Sequence, residues 1–420
     1  MHRSAQDLLD QAKQVLYGNL KIGYSRWAKT EYKYICPSKD HYSHQWFWDS
    51  CFHAIVLSNF DTELAKNELR NLLKVQRHDG FIPHVIFWNP PIFSLHGVGL
   101  ESRFSLWPKT TELIQPPLIA EAVQIVYERS RDKNFLVEML PKLVAYYRWL
   151  AEHRDPDHDG LISIIAPYES GMDQSPSYDQ ICKVNNKNRL NVAIACRRVT
   201  FKHMLRNYNL NKIFEDDYFN VEDVFVNSVY ARNLKILATL LDRQDKEDEA
   251  REFFLLAQKV TDSLVKNCFD SDTSFFYDLS GSAETKLYSK TIKGLMPLLL
   301  DIDKALAKKL VEKHLLNEKE FLLPYPVPSV AADDPDFKAA PKMILGEPII
   351  WRGPTWINTN WYLIKALAEH GYQAHAEKLK KVTIELVAKE GFREFFDPFS
   401  GAGYGTRNFG WSTLVVDLLN

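Results

Sequence analysis

The 420-residue sequence is poor in cysteine: its five (Cys36, Cys51, Cys182, Cys196 and Cys268) are scattered, odd in number and without C-x-x-C spacing. That pattern excludes a disulfide framework and a thiolate zinc site. No apolar run approaches the roughly 20 residues that span a bilayer, so no membrane partner is expected. Long basic runs are also missing and the formal net charge is -2, so the electrostatic footprint of a nucleic-acid binder is absent. The first residues lead into an amphipathic pattern rather than the apolar core of a signal peptide, which predicts a cytoplasmic chain. There is no Gly/Ser-rich linker, low-complexity tract or shift in composition, and the chain reads as one domain over residues 1–420. The absence of a fixed-period repeat argues against tetratricopeptide or armadillo arrays.

What is abundant is apolar and aromatic surface, 45% and 13% of residues, enough to bury a large core. Apolar residues recur at helical spacing, as in Ala65, Leu69, Leu72 and Leu73, or Tyr230, Leu234, Leu237 and Leu241, or Phe253, Ala257, Val260 and Leu264. The series Tyr372, Ala376, Leu379, Leu386 and Val387 adds another stripe. Further helices are expected near residues 5–19, 49–60, 115–131, 134–153, 191–208, 288–299, 302–316, 357–370 and 409–419, with few strands. The polar turn after Leu241 and the turn Glu369-His-Gly-Tyr-Gln read as connections of αα-hairpins. The expected fold is all-α: about six unlike hairpins closing into an (α/α)6 toroid, with loops at one end converging on a central pocket.

Four segments break the helical rhythm and mix aromatics with carboxylates: residues 42–50, 168–179, 350–361 and 393–412. Seven of the ten tryptophans lie in or beside such loops: Trp46, Trp48, Trp88, Trp107, Trp351, Trp356 and Trp411. Indole rings among Asp, Asn, Arg and Gln suit a ligand with apolar faces and hydroxylated edges, which describes a sugar. Cleaving a glycosidic bond takes one carboxylic acid to protonate the departing oxygen and one carboxylate to handle water or the anomeric carbon. Asp173 and Glu394 are the favoured pair, since both sit in aromatic loops punctuated by Gly or Pro and lie far apart in sequence. Glu169, Asp49, Asp179, Glu347 and Asp397 compete with them, and Asp49 also reads as a helix N-cap.

These segments resemble glycoside hydrolase family 63, especially its small microbial members that act on mannosylglycerate or glucosylglycerate. The resemblance runs in order through His44-Gln-Trp-Phe-Trp-Asp-Ser, Gly80-Phe-Ile-Pro-His, Gln115-Pro-Pro, Glu169-Ser-Gly-Met-Asp-Gln-Ser-Pro and Glu222-Asp-Val. It continues through Pro328-Ser-Val-Ala-Ala-Asp-Asp-Pro, Trp351-Arg-Gly-Pro-Thr-Trp, Glu394-Phe-Phe-Asp-Pro and Phe409-Gly-Trp-Ser. It implies the toroid, inversion at the anomeric carbon, Asp173 as general acid and Glu394 as general base. It also implies that Tyr42, Trp46, Trp48, Asp49 and Gln115 hold the sugar, that Trp351 and Trp356 line the cleft, and that no cofactor is needed. The chain departs from many relatives at Phe395, Phe396 and Ala402, where a tyrosine and a glutamate are usual. An α-glucosidase for short oligosaccharides is the alternative substrate reading, and a sugar isomerase on the same toroid the alternative class, although His84, His96 and His203 form no recognisable set.

Two other patterns invite metal readings. Asp155-Pro-Asp-His-Asp-Gly begins like a calcium loop, but position twelve is Ala166 and not the bidentate glutamate of an EF-hand, so a polar turn is expected. His41 and His44 lack a third ligand, and no metal is expected there. Arg352 has two readings, a structural partner of Glu347 or a contact to an anionic aglycone.

Overall fold

The computed structural model describes residues 4–93, 97–184, 189–339 and 350–419. Consecutive helices pair side by side: Phe47–Leu57 with Thr62–Leu73, Ile119–Ser130 with Lys133–His153, Val224–Asp242 with Glu247–Ser263, and Ile357–Glu369 with Gln373–Glu390. The first member of these pairs is the more enclosed where the sequence is apolar on all sides. Phe47–Leu57 buries every residue, whereas Glu247–Ser263 buries only Ala250, Phe253, Ala257 and Val260, a single stripe at helical spacing. The enclosed elements contact one another in sequence order: Phe47–Leu57, Ile119–Ser130, Val224–Asp242, Ile292–Leu299, Ile357–Glu369 and Gly410–Leu419, the last returning to the first.

Two of these inner elements differ from expectation, being 3₁₀ rather than α-helical. Ile292–Leu299 contains Pro297, which cannot donate an amide and crowds the preceding turn. In Gly410–Leu419 the Thr413 hydroxyl donates to the Gly410 carbonyl (2.5 Å) and the Ser412 hydroxyl to the Arg393 carbonyl, local bonds that compete with the α pattern. The helix Leu210–Asp216 is not anticipated by the sequence. Helix Ile357–Glu369 ends as expected, with Gly371 at φ +83° just past its cap.

The strands form short antiparallel pairs and one three-stranded sheet, and two of the pairs build pocket walls. Gln45–Trp46 pairs with Val85–Ile86, and Arg393–Phe396 with Gly403–Arg407. None of the helices among the described residues is long and apolar enough to cross a membrane.

Candidate active site

One pocket of about 690 Å³ gathers all nine predicted site residues: Tyr42, Trp46, Trp48, Asp49, Gln115, Asp173, Trp351, Trp356 and Glu394. Its walls come from loops and strand pairs far apart in sequence.

Asp173 sits just after the 3₁₀ turn Pro167–Ser170 and Gly171. Gly171 has φ +69°, and a Cβ there would lie 2.4 Å from the Trp48 ring, so glycine lets the loop rest on that indole. Glu169 anchors the loop from behind. Its carboxylate accepts both ends of the buried Arg154 guanidinium (2.8 and 2.6 Å) and the amides of Ile114 (2.8 Å) and Ile165 (2.6 Å). The Ile114 bond fixes the segment that carries Gln115. Asp179, at the far end of the loop, accepts both arms of Arg352 (2.8 and 2.6 Å) and so ties the loop to the Trp351 segment. Asp179 is therefore an ion-pair partner in addition to a turn residue, and Arg352 is buried against it and off the pocket lining, which corrects the reading of that arginine as an aglycone contact. Glu347 lies outside the described residues.

Burial pushes the Asp173 carboxyl up to about 7, and the nearby charges of Glu101 and Glu394 push the same way. Its remaining exposure is partial, on the pocket lining.

Glu394 occupies the opposite kind of setting, on a bulged strand. Arg393 pairs with Arg407 and Phe395 with Tyr404, so Gly405 and Thr406 face Glu394 alone. Gly405 has φ +68°, and a Cβ there would fall 2.5 Å from Glu394 Oε2. That close approach lets the Thr406 amide donate to Oε2 (2.9 Å), while the Tyr42 hydroxyl donates to Oε1 (3.1 Å). Burial raises the Glu394 carboxyl, but these donors and the His41 charge oppose the shift by favouring the anion.

The aromatic lining is ordered by mutual contacts. Trp351 and Trp356 stack at 3.8 Å between ring centres and 5° between planes, and Trp411 meets Trp48 edge-on at 5.0 Å. Among the described residues, the indole N–H groups of Trp46, Trp356 and Trp411 are buried without an acceptor. Gln115 Oε1 accepts the Trp48 amide (3.0 Å) at the start of helix Phe47–Leu57. Asp49 is not its N-cap: that position is Trp46, and Asp49 stands in the first turn with its carboxyl pushed up to about 8 by burial.

Among the lining residues, Glu101 and Arg197 lie outside the segments the sequence marks, while Tyr168, Arg393 and Tyr404 lie within them but do not stand out individually. Glu101 arrives on the 3₁₀ turn Gly97–Glu101, 3.1 Å from His84 Nε2, and His84 Nδ1 lies 2.7 Å from the Thr111 hydroxyl. Nothing in that turn's sequence marks it. Other expectations fall away from the pocket. Trp107 is exposed, and Trp88 is buried elsewhere with its N–H on Gln45 (2.8 Å). Asp397 accepts the amides of Phe399 and Ser400 in its own turn. Of the three histidines weighed for an isomerase, His84 lines the pocket, His203 bonds the Ile165 carbonyl (2.6 Å) away from it, and His96 lies outside the described residues.

Two buried carboxyls with different hydrogen-bond environments in a tryptophan-lined pocket define a glycoside hydrolase type of site. The family model of the mannosylglycerate hydrolase MGH1-like glycoside hydrolase domain matches residues 42–412, and the chain belongs to that family. It is 31% identical to a mannosylglycerate hydrolase of Thermus thermophilus over 91% of this chain and 95% of that protein. It is 26% identical to a glucosylglycerate hydrolase of Mycolicibacterium hassiacum over 89% and 91% of the two. Its fold superposes on the crystal structure of a family 63 mannosylglycerate hydrolase from a second strain of Thermus thermophilus, in complex with Tris and D-glycerate. The TM-score is 0.85 and the identity 28%, covering 98% of this chain and 100% of the other.

Proposed function

We propose that the chain hydrolyses mannosylglycerate or glucosylglycerate with inversion, Asp173 acting as general acid and Glu394 as general base. The closed series of six inner elements is then an (α/α)6 toroid, and residues 1–420 form one catalytic domain working in the cytoplasm on a small soluble glycoside. Asp173 gives its proton to the glycosidic oxygen as the bond to the anomeric carbon breaks, and glycerate leaves. Glu394 takes a proton from the water that adds to that carbon from the opposite face. Free sugar and glycerate result, with no organic cofactor.

The observation that carries this reading is the contrast between the two carboxyls. Asp173 keeps a proton to about pH 7, while Glu394 is bonded to the Tyr42 hydroxyl and the Thr406 amide, which favour its anion. Arg197 and Arg393 supply cations on the pocket lining for the glycerate carboxylate. The test is turnover of mannosylglycerate, glucosylglycerate, glucosylglycerol and short α-glucosides, followed by sugar release. The glycerate glycosides should turn over fastest; equal or faster turnover of the uncharged glycosides would contradict the proposal.

A further inference from the structure

A second cluster of carboxylates lies outside the pocket. Oxygens of Asp155, Asp157 and Asp159 lie within 4.8 Å of one another, and so do oxygens of Asp157, Glu222 and Glu284, with Asp157 common to both trios. The contributors come from three separate segments. The three aspartates follow helix Lys133–His153, Glu222 lies on the strand Val221–Glu222, and Glu284 lies in the turn between Leu279–Ser280 and Thr285–Lys286.

Two oxygens of the clustered residues, Asp155 Oδ1 and Glu222 Oε2, are buried without a hydrogen-bond partner among the described residues. Their residues are 7% and 6% exposed. A buried carboxylate oxygen with no donor costs several times what an exposed one does, and native proteins rarely leave it so. The other oxygens are fixed by the protein: Asp155 Oδ2 accepts the Gly160 amide (3.0 Å), and Asp159 accepts the Leu161 amide (2.7 Å) and the Asn267 side chain (2.8 Å). The Asp157 and Glu284 carboxyls stand side by side, and burial together with the neighbouring Asp157 pushes the Glu284 carboxyl up. Of the cations beside the cluster, Lys259 spends its ammonium on the His158 carbonyl (2.7 Å), and Lys266 acts on Glu284. Burial pushes the Glu222 carboxyl up to about 9, with the charges of Asp159, Asp157 and Glu284 adding to it.

We propose that Asp155, Asp157, Asp159, Glu222 and Glu284 form a calcium site that clamps the segment leading into the Asp173 loop. The chemistry is that of a hard cation taking about 6–8 oxygen ligands at 2.3–2.6 Å, a shell whose members stand within about 5 Å of each other. The set contains no His or Cys, which disfavours zinc and other softer metals. The aspartates occupy alternating positions with Gly160 sixth, and the glutamate that the contiguous loop lacks at Ala166 is supplied across the Ile164–Val221 bridge by Glu222. Residues 161–165 then run to Ile165, whose amide is held by Glu169 behind Asp173. The cation acts on loop position and stability and touches no substrate.

The test compares full-length protein stripped with EDTA and desalted, with and without 1 mM calcium chloride, for wild type, Glu222→Gln and Asp157→Asn. Wild type should retain one calcium per chain after dialysis, by mass spectrometry of the metal. Its Tm should rise by about 3–5 °C with calcium, and by less with 1 mM magnesium. Both variants should lose most of that shift. Without calcium, Glu222→Gln should be at least as stable as wild type, because glutamine keeps the shape of the side chain and takes one acid out of the crowded cluster. Asp157 is exposed, so Asp157→Asn serves as the folded control if Glu222→Gln misfolds. No retained calcium and an unchanged Tm in wild type would overturn the proposal, as would an equal calcium shift in wild type and both variants.

Discussion

Asp173 and Glu394 stand in the same pocket and burial raises both carboxyls, yet the donors around them differ. Around Asp173 the arginines are spent on Glu169 and Asp179, and a backbone hydrogen bond opposes burial without cancelling it, so its proton is held to about pH 7. Glu394 is placed where a bulge turns the Thr406 amide toward one oxygen and the Tyr42 hydroxyl reaches the other. In the proposed mechanism it is this supply of donors, more than burial, that suits one carboxyl to be the acid and the other the base.

The contrast breaks most severely when either carboxyl is made neutral. Asp173→Asn and Glu394→Gln should each lower kcat by about 10²–10⁴-fold with a much smaller change in KM, measured on the glycerate glycosides. A retained kcat in either variant would remove that residue from the proton transfers. Next in size is the anchor of the Asp173 loop. Arg154→Met leaves Glu169 as an uncompensated buried charge and should cost about 3–5 kcal/mol of stability, read by chemical denaturation.

Tyr42→Phe sharpens the comparison from the Glu394 side. Losing a donor to the anion raises the pKa of the base, so the acid limb of kcat/KM should move up by about one pH unit while the alkaline limb, set by Asp173, stays. Since the acid must be protonated, activity of the wild type should fall as pH rises through about 7. The smallest effect is on stability. The folded carboxyl of Asp173 lies above its unfolded value of 3.8, so its cost to the fold grows as pH rises from about 4 and is complete above about 7. Asp173→Asn should therefore raise Tm by a few degrees at pH 8 and by less at pH 5.

The helix pairs were legible because their outer members carry single apolar stripes, as at Phe253, Ala257 and Val260, and an inner member such as Val224–Asp242 carries a broader apolar face. The 3₁₀ form of Ile292–Leu299 and Gly410–Leu419 was not, since both read as apolar at helical spacing and differ only through Pro297 and hydroxyl bonds. Asp173 and Glu394 stood out by loop punctuation and by the family motifs. Glu101, Arg197 and the Arg352–Asp179 pair did not, because each depends on a partner far along the chain or on a plain segment such as Gly97–Glu101. The acidic turn after His153 shows the same limit: its missing glutamate is invisible along the chain because Glu222 reaches it across a strand bridge.

The division of labour between acid and base is tested most directly by the anomer released in the first turnovers of α-linked mannosylglycerate or glucosylglycerate, followed by proton NMR before mutarotation. An acid at Asp173 and a base at Glu394 acting on water predict the β-anomer first. Release of the α-anomer first would contradict the account and make one of these carboxylates a nucleophile.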